Sequence, residues 1–122
     1  PALMLSPDTA ARQAVRRDQW TGLFGATGYR VAPDGEITQW GYIATTINAH
    51  IASYAISFPI AFPNACTRVF GIGANPGAVE NVDYHVQLVS KSLTQCVLAQ
   101  NRTYNSGGTI PSVGLYWEAK GN

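Results

Sequence analysis

Apolar and polar residues alternate along short stretches of the chain, with the period of two that is typical of half-buried β-strands. The stretch YHVQLVS is predicted to place Tyr84, Val86 and Leu88 toward the core and His85 and Gln87 toward solvent. Comparable strand-like stretches cover residues 29–41, 52–58, 66–75, 93–100 and 113–121. Turn-forming residues separate them, so the pattern predicts seven or eight strands in an all-β, antiparallel β-sandwich.

Several of the predicted strands are apolar on both faces. The last strand places Val113, Leu115, Trp117 and Ala119 on one face and Tyr116, Glu118 and Lys120 on the other. In the strand at 66–75, one side carries Arg68, Phe70, Ile72 and Ala74, while Gly71 and Gly73 indicate a bulge or a close approach. A two-layer sandwich buries one face of each sheet, so the second apolar face predicts self-association.

The first residues follow a different pattern. Ser6 is a suitable helix cap and Pro7 suits a first helical position, so a short N-terminal helix is predicted over 7–20. Its apolar stripe is thin, so it must pack against the following domain or against copies of itself. Three glycines in the next stretch indicate a linker, and we divide the chain into a helical segment with linker, 1–27, and a β-sandwich domain, 28–122.

Two Phe-Pro pairs interrupt the middle of the chain, at Phe58-Pro59 and Phe62-Pro63. Proline donates no ladder hydrogen bond, so both prolines are predicted at strand ends or on an edge. Both phenylalanines are predicted to be buried, and the turn at Pro63 leads into a strand that starts near Cys66. This run is therefore interpreted as a corner of the scaffold.

The composition narrows the function classes. The chain has 122 residues, with eight Lys and Arg against seven Asp and Glu, so no basic face for nucleic acid is indicated. No apolar run of 18 residues is found, which predicts no membrane insertion. The two cysteines, Cys66 and Cys96, fit no metal-binding spacing; they form either one disulfide or two buried thiols, and the second is favoured.

The polar residues form no recognisable catalytic motif. None of the seven carboxylates is placed to face another across a sugar, and no hydrolase, zinc or phosphate-loop motif is present, so we predict neither an enzyme nor a cofactor. Asp83 and His85 share a strand face, and a solvated edge is favoured over metal binding. If three chains met on an axis, one histidine from each, His50 or His85, would be an alternative metal site.

Three motifs carry a family resemblance. GYRVAPDGEITQWG fits the pattern G-Y-x-x-x-P-x-G-x-x-x-Q-W-G, FPIAFPNAC fits F-P-x-x-F-P-x-A-C, and WEAKG fits W-x-A-x-G. In this order, and spanning 28–121, they resemble the gp53-like C-terminal domain of phage and prophage tail fibres. The resemblance implies a β-sandwich at the distal end of a homotrimeric fibre in the virion, made in the cytoplasm of the bacterial host. It also implies that the domain binds a receptor on the bacterial surface, either a lipopolysaccharide glycan or an outer-membrane protein.

Two polar loops are the candidate receptor-binding sites, since Tyr and Asn combine contact area with adaptable hydrogen bonds. The candidate residues are Asn75, Asn81, Asp83, Tyr84 and His85 in the first loop, and Asn101, Arg102, Tyr104 and Asn105 in the second. For each residue the alternative is an ordinary turn or core role. Tyr29, Trp40 and Trp117 are assigned to core or subunit packing, and Gln39 is predicted to bond backbone at a sheet edge.

Two other functions stay open at this point. One is a structural domain that trimerises and caps the fibre without receptor contact. The other is a tail-associated polysaccharide depolymerase.

Overall fold

The computed structural model describes residues 20–45, 51–74, 84–102 and 113–122, and within them the chain is all-β. The strands are β1 (Thr21–Leu23), β2 (Gly28–Val31), β3 (Ile37–Thr45), β4 (Ile51–Ser57), β5 (Cys66–Gly73), β6 (Tyr84–Lys91), β7 (Gln95–Arg102) and β8 (Val113–Gly121). Eight strands in these ranges agree with the predicted number. The helix predicted over 7–20 falls outside the described residues except for Trp20.

The strands form two antiparallel sheets. The five-stranded sheet has the order β1-β2-β3-β8-β5, and the three-stranded sheet has the order β4-β7-β6. The final strand, β8, lies between β3 and β5 and pairs with both along most of its length. The antiparallel arrangement predicted from the alternating pattern is confirmed.

The hairpin between β2 and β3 forms where the Pro-Asp-Gly turn was predicted. Asp34 Oδ1 accepts a hydrogen bond from the Glu36 amide at 2.9 Å, which is an Asx-type turn. Gly35 has a φ of 94°, in the left-handed region that glycine adopts without a steric penalty. Its amide donates to the carbonyl of Ala32 at 2.9 Å and closes the turn.

The five-stranded sheet begins upstream of Gly28. Strand β1 lies in the stretch interpreted as a linker and pairs with β2, with Leu23 opposite Tyr29. The indole nitrogen of Trp40 donates to the carbonyl of Gly25 at 2.8 Å and fixes the connection between the two strands. The glycine-rich stretch therefore contains sheet structure, because glycines allow the strands to approach closely; a Cβ at Gly28 would clash with the carbonyl of Leu23.

One hydrophobic core lies between the two sheets. The five-stranded sheet contributes Ile37, Val69, Leu115, Trp117 and Ala119, and the three-stranded sheet and the corner that follows it contribute Ile56, Phe58, Phe62, Cys96 and Leu98. The alternation predicted for β8 is confirmed, because Leu115, Trp117 and Ala119 are buried while Tyr116 is exposed. Both cysteines carry free thiols and are buried, as favoured from the sequence.

Leu88 departs from the prediction. It was expected to face the core, yet 41% of its surface is exposed. Strand β6 is an edge strand, and the pairing register with β7 shifts between Leu88 and Ser90. Val86, two residues earlier, does pack against the core. The bulge and the edge position together lift Leu88 partly out of the interior.

The Phe-Pro run forms the predicted corner. Phe58 and Phe62 are buried and meet edge to face, with ring centroids 5.2 Å apart. Pro59 follows the end of β4, and Pro63 precedes the start of β5. Neither proline therefore occupies a strand position where a backbone amide would have to donate a hydrogen bond. The Phe62 amide donates to the carbonyl of Leu93 at 2.8 Å, which ties the corner to the turn between β6 and β7.

Gln39 binds backbone as predicted, but it does not lie at a sheet edge. Its strand, β3, lies between β2 and β8, and the side chain is fully buried. The amide bonds the backbone of Ile60 inside the corner, so its partner comes from the connection and not from an open edge.

The glycine prediction for β5 is confirmed at Gly71. A Cβ there would lie only 3.1 Å from side-chain carbons of Leu98 and Val86. The bulge in β5 lies elsewhere, between Cys66 and Arg68.

Candidate functional site: the loop end of the sandwich

Three connections between the two sheets leave the same end of the sandwich. They comprise residues 46–50, 75–83 and 103–112, whose own conformations lie outside the described part of the chain. The strand ends that they join are in register, with Thr45 opposite Val113 in one sheet and Tyr84 opposite Arg102 in the other. The Ala74 amide donates to the carbonyl of Gly114 at 2.8 Å and holds the end of β5 at the same level. We call this end of the molecule the loop end.

The structure brings together residues from the two loops predicted to bind receptor. His85 lies opposite Asn101, and Tyr84 lies opposite Arg102, on neighbouring strands at the loop end. These four residues belong to strands β6 and β7, so the placement of Asn101 and Arg102 in a loop is corrected. The strand continues through them because β7 is the central strand and has partners on both sides. Asn75, Asn81, Asp83, Tyr104 and Asn105 lie outside the described residues.

A polar row begins at this end on the outer face of the three-stranded sheet. The side-chain amide of Asn101 donates from Nδ2 to Gln87 Oε1, over 3.4 Å, and His85 is exposed beside them. Gln87 was not among the candidate residues. Its position two residues after His85 on the same strand face was the signal that could have included it.

Gln100 is a second residue that sequence reasoning missed. It is fully buried, and neither its side-chain nitrogen nor its oxygen has a hydrogen-bond partner among the described residues. It lies on β7, opposite Ala52 on one side and Val86 on the other, near the loop end. The signal in the sequence was a polar residue directly after the apolar run CVLA. Such a residue merits attention because buried amides are normally hydrogen-bonded.

The outer face of the five-stranded sheet is apolar. Its large apolar residues, which we call the aromatic face, are Trp40, Tyr42, Phe70, Ile72 and Tyr116. Tyr116 lies between Tyr42 and Ile72 in the strand register, with its ring centroid 4.8 Å from that of Tyr42. Apart from the half-buried Trp40, these side chains are between 44% and 67% exposed.

A shallow cavity of about 260 Å³ lies on the aromatic face, and its lining includes Trp40, Phe70 and Tyr116. Glu118 stands between Trp40 and Phe70 in the register and is the charged residue of this lining. The carboxylate is 3.8 Å from Lys120, which also lies 3.8 Å from Glu36.

Trp117 is buried in the core, whereas Tyr29 and Trp40 are half-buried. The prediction of core packing is therefore confirmed for Trp117. The indole of Trp40 also lies 6.5 Å from the ring of Phe24, which supports it from the β1 side.

Within the described ranges, no group of three or more His, Cys, Asp or Glu residues could hold a metal ion. Across the same ranges, no helix is long and apolar enough to cross a bilayer.

Comparison with known proteins decides the family. Residues 30–122 match the family model described as "tail fiber protein gp53-like, C-terminal". The chain belongs to this family. Because the match covers most of the chain, including strands β3 to β8, the resemblance carried by the three sequence motifs is confirmed. This tail fibre domain is accordingly a component of a phage virion or of a phage tail-like particle.

Solved fibres have the same fold. An N-truncated R1-type pyocin tail fibre aligns over 98% of this chain and 100% of that chain, with 25% identity and a TM-score of 0.72. The C-terminal part of the R2 pyocin fibre of P. aeruginosa aligns over 84% of this chain with 25% identity and a TM-score of 0.66. The tail fibre domain spans only 26% of that R2 structure.

A sequence relative is found in an archaeon. An uncharacterised protein of Methanocaldococcus jannaschii is 26% identical over 109 residues, which are 85% of this chain and 68% of the relative.

Proposed function

We propose that this tail fibre domain is the receptor-binding tip of a homotrimeric fibre, which attaches the particle to a glycan or an outer-membrane protein on the bacterial surface. The observation that carries the proposal is the gathering of three inter-sheet connections at one end of a rigid sandwich. Binding residues are commonly held on loops at one end of such scaffolds, because loops tolerate variation while the sheets fix their position.

The chemistry at the loop end suits a polar receptor. Asn101, Gln87 and His85 offer amide and imidazole groups on neighbouring strands, and Arg102 ends the strand beside Tyr84. Tyr104 and Asn105 follow Arg102 and Thr103 along the chain. Three such sites on one trimer would raise avidity by roughly 10² to 10⁴ over a single site when the receptors are dense.

The trimer is supported by the aromatic face. Large exposed apolar patches on soluble proteins usually mark interaction sites. Here the patch lies on the outside of the five-stranded sheet, whereas the polar row lies on the outside of the other sheet. One surface is thus suited to other subunits and another to a receptor.

We propose no enzymatic role. Among the described carboxylates, Asp34 accepts the hydrogen bond that shapes its turn, and Glu36 and Glu118 lie near Lys120. These positions give no opposed pair across an open groove of the kind that glycosidases use.

A structural capping domain is the second candidate. The aromatic face favours it, because trimer formation alone would account for that surface. Receptor recognition would then lie in another part of the fibre.

The test measures binding of the fluorescently labelled chain to a panel of Gram-negative strains. We expect binding to some strains, at least tenfold weaker for the Arg102→Ala, Tyr104→Ala double variant. The control is Asn64→Ala, an exposed residue at the opposite end of the sandwich, which should bind as the parent does. A stable trimer that binds no strain would support the capping function, and release of reducing sugar from the cells would support a depolymerase.

A further inference from the structure

A second exposed apolar patch lies on strand β6. It consists of Leu88 and Val89, with 41% and 59% of their surfaces exposed, and we call it the β6 patch. Strand β6 forms one edge of the three-stranded sheet. Apolar side chains at a sheet edge are unusual, since natural edges more often carry charges that prevent association.

The backbone at the β6 patch is unsuited to pairing with another strand. Leu88 pairs with Leu98, but the next pair in register is Ser90 with Val97, so Val89 is the extra residue of a bulge. A bulge interrupts the regular row of donors and acceptors that an added strand would need. The β6 patch therefore offers side chains, and not a hydrogen-bonding edge, to a partner.

The β6 patch and the aromatic face meet along the same side of the molecule. The Lys91 ammonium donates to the carbonyl of Cys66 at 2.8 Å, which ties β6 to β5 across the two sheets. A Cβ at Gly71 would lie 3.1 Å from Val86, so these two residues are at the same level. Phe70 on β5 lies one residue from that level, and Leu88 on β6 lies two residues from it, both toward the end of the sandwich opposite the loop end.

Three-fold symmetry requires this kind of arrangement. A ring of three copies is built from heterologous contacts, in which one surface of a copy meets a different surface of the next. Both surfaces must adjoin the edge nearest the axis, and they must lie at matching heights because rotation about the axis involves no translation. The aromatic face and the β6 patch satisfy both conditions, because the edge strands β5 and β6 lie side by side.

The aromatic face supplies about half of the area that a stable interface needs on each partner. The four most exposed side chains of the aromatic face present on the order of 400 Å² of apolar surface, within the range of about 300–600 Å² for the largest patch on a monomer. A stable interface buries about 800 Å² on each partner, so the aromatic face needs further contacts around it. Its cavity of about 260 Å³ is open enough to accept aliphatic side chains.

We infer that β5 lies nearest the three-fold axis, and that the β6 patch of each copy packs into the aromatic face of the next copy. The inference rests on the proposed homotrimer and adds which surfaces build it. Phe70 then contacts the neighbouring Val89, and the loop ends of all three copies point the same way.

The first test is a set of charge insertions, with the oligomeric state of the 122-residue chain measured by native mass spectrometry and light scattering. Phe70→Arg and Val89→Arg should each weaken trimer association by tenfold or more, because each places an unpaired charge in an apolar contact. Leu23→Arg is the control, because Leu23 is equally exposed but lies on β1 at the opposite edge of the sheet. Circular dichroism checks that each variant is folded.

The second test locates the contact directly. Copies carrying Phe70→Cys are mixed and refolded with copies carrying Val89→Cys, and a short bismaleimide linker is added. We expect most links to join the two kinds of copy, with fewer between two Phe70→Cys copies. The native thiols contribute little background, since both are buried.

The results separate the two levels of the proposal. A parent chain that stays monomeric at every concentration overturns the trimer itself. A trimer that survives both Val89→Arg and Phe70→Arg, or that links only position 70 to position 70, leaves the trimer standing and overturns the heterologous contact. Loss of the trimer with Leu23→Arg alone would assign the interface to the β1 edge.

Discussion

Gln39 and Ile60 are joined by two hydrogen bonds that run in opposite directions. The Gln39 side chain donates from Nε2 to the Ile60 carbonyl at 2.9 Å and accepts from the Ile60 amide at its Oε1 at 3.0 Å. Ile60 lies between the two prolines of the corner, where no ladder supplies partners. One buried amide side chain thus replaces a neighbouring strand, which explains why a polar residue lies inside the core.

Replacing Gln39 by Leu should destabilise the domain by about 2–4 kcal/mol, since it leaves two backbone groups of the corner without partners. Urea unfolding measures the change, at one fixed protein concentration because the stability of any oligomer depends on concentration. The same substitution at exposed Gln87 is the control and should cost about 0.5 kcal/mol or less. A cost below about 1 kcal/mol at Gln39 would contradict this role.

Substitution of Phe62 should lower the free energy of unfolding more than substitution of most other apolar residues. It is 1% exposed and packs edge to face on Phe58, which also lies 5.9 Å from the ring of Trp117. Phe62→Ala should cost about 3–5 kcal/mol through the cavity that it leaves. Phe24→Ala removes the same group from a half-exposed ring and should cost less than about 1.5 kcal/mol, so equal costs would refute the assignment of Phe62 to the core.

Gly71→Ala tests the packing between the sheets. The new methyl group would lie 3.1 to 3.2 Å from carbons of Leu98, Val86 and Leu115, so the core must expand by a few tenths of an ångström. We expect a loss of about 1–3 kcal/mol in unfolding free energy. Gly25→Ala is the matched control, because the nearest atom to its Cβ is 3.5 Å away and the change should be nearly neutral.

The buried thiols make stability depend on pH in the alkaline range. Burial, together with a smaller contribution from the neighbouring Cys66, raises the pKa of Cys96 to about 11. The unfolded thiol loses its proton first as the pH rises, so the folded state is stabilised below pH about 9 and this stability is lost between about 9 and 11. The alkaline decrease in unfolding free energy should therefore be steeper in the parent than in Cys96→Ala; parallel pH profiles would count against it.

The same burial makes a prediction for chemical reactivity. In the folded protein at pH 8, a thiol reagent should modify neither Cys66 nor Cys96 within the time in which the urea-unfolded chain reacts completely, because the reactive thiolate is scarce and shielded. Rapid labelling of the folded chain would show that the core opens locally.

Much of the scaffold was predictable because its signals are local. The turn at Asp34 and Gly35 and the alternation through Leu115 and Trp117 depend on a few neighbouring residues, and the structure confirms them. The exposure of Leu88 was not predictable, because alternation does not reveal that β6 is an edge strand with a bulge. Strand β1 was not predicted from the sequence either, because three residues beside glycines are too few to show an alternating pattern.

The candidate site was predictable only in part. Loop composition indicated the two polar connections, but it did not indicate that Tyr84 and Arg102 are paired in the strand register, because strand order depends on contacts between distant segments. Gln87 and Gln100 were missed because a single polar residue in a strand has no distinctive spacing.

The position of β8 also constrains how the chain reaches its native state. Strands β3 and β5 are joined only through β8, so the five-stranded sheet cannot close before residues 113–121 leave the ribosome. Until then two long apolar edges stay unpaired, and pairing over such sequence distances is slow. A chain that stops short of its eighth strand therefore cannot complete this sheet, and a fibre assembled from such chains would lack this folded domain.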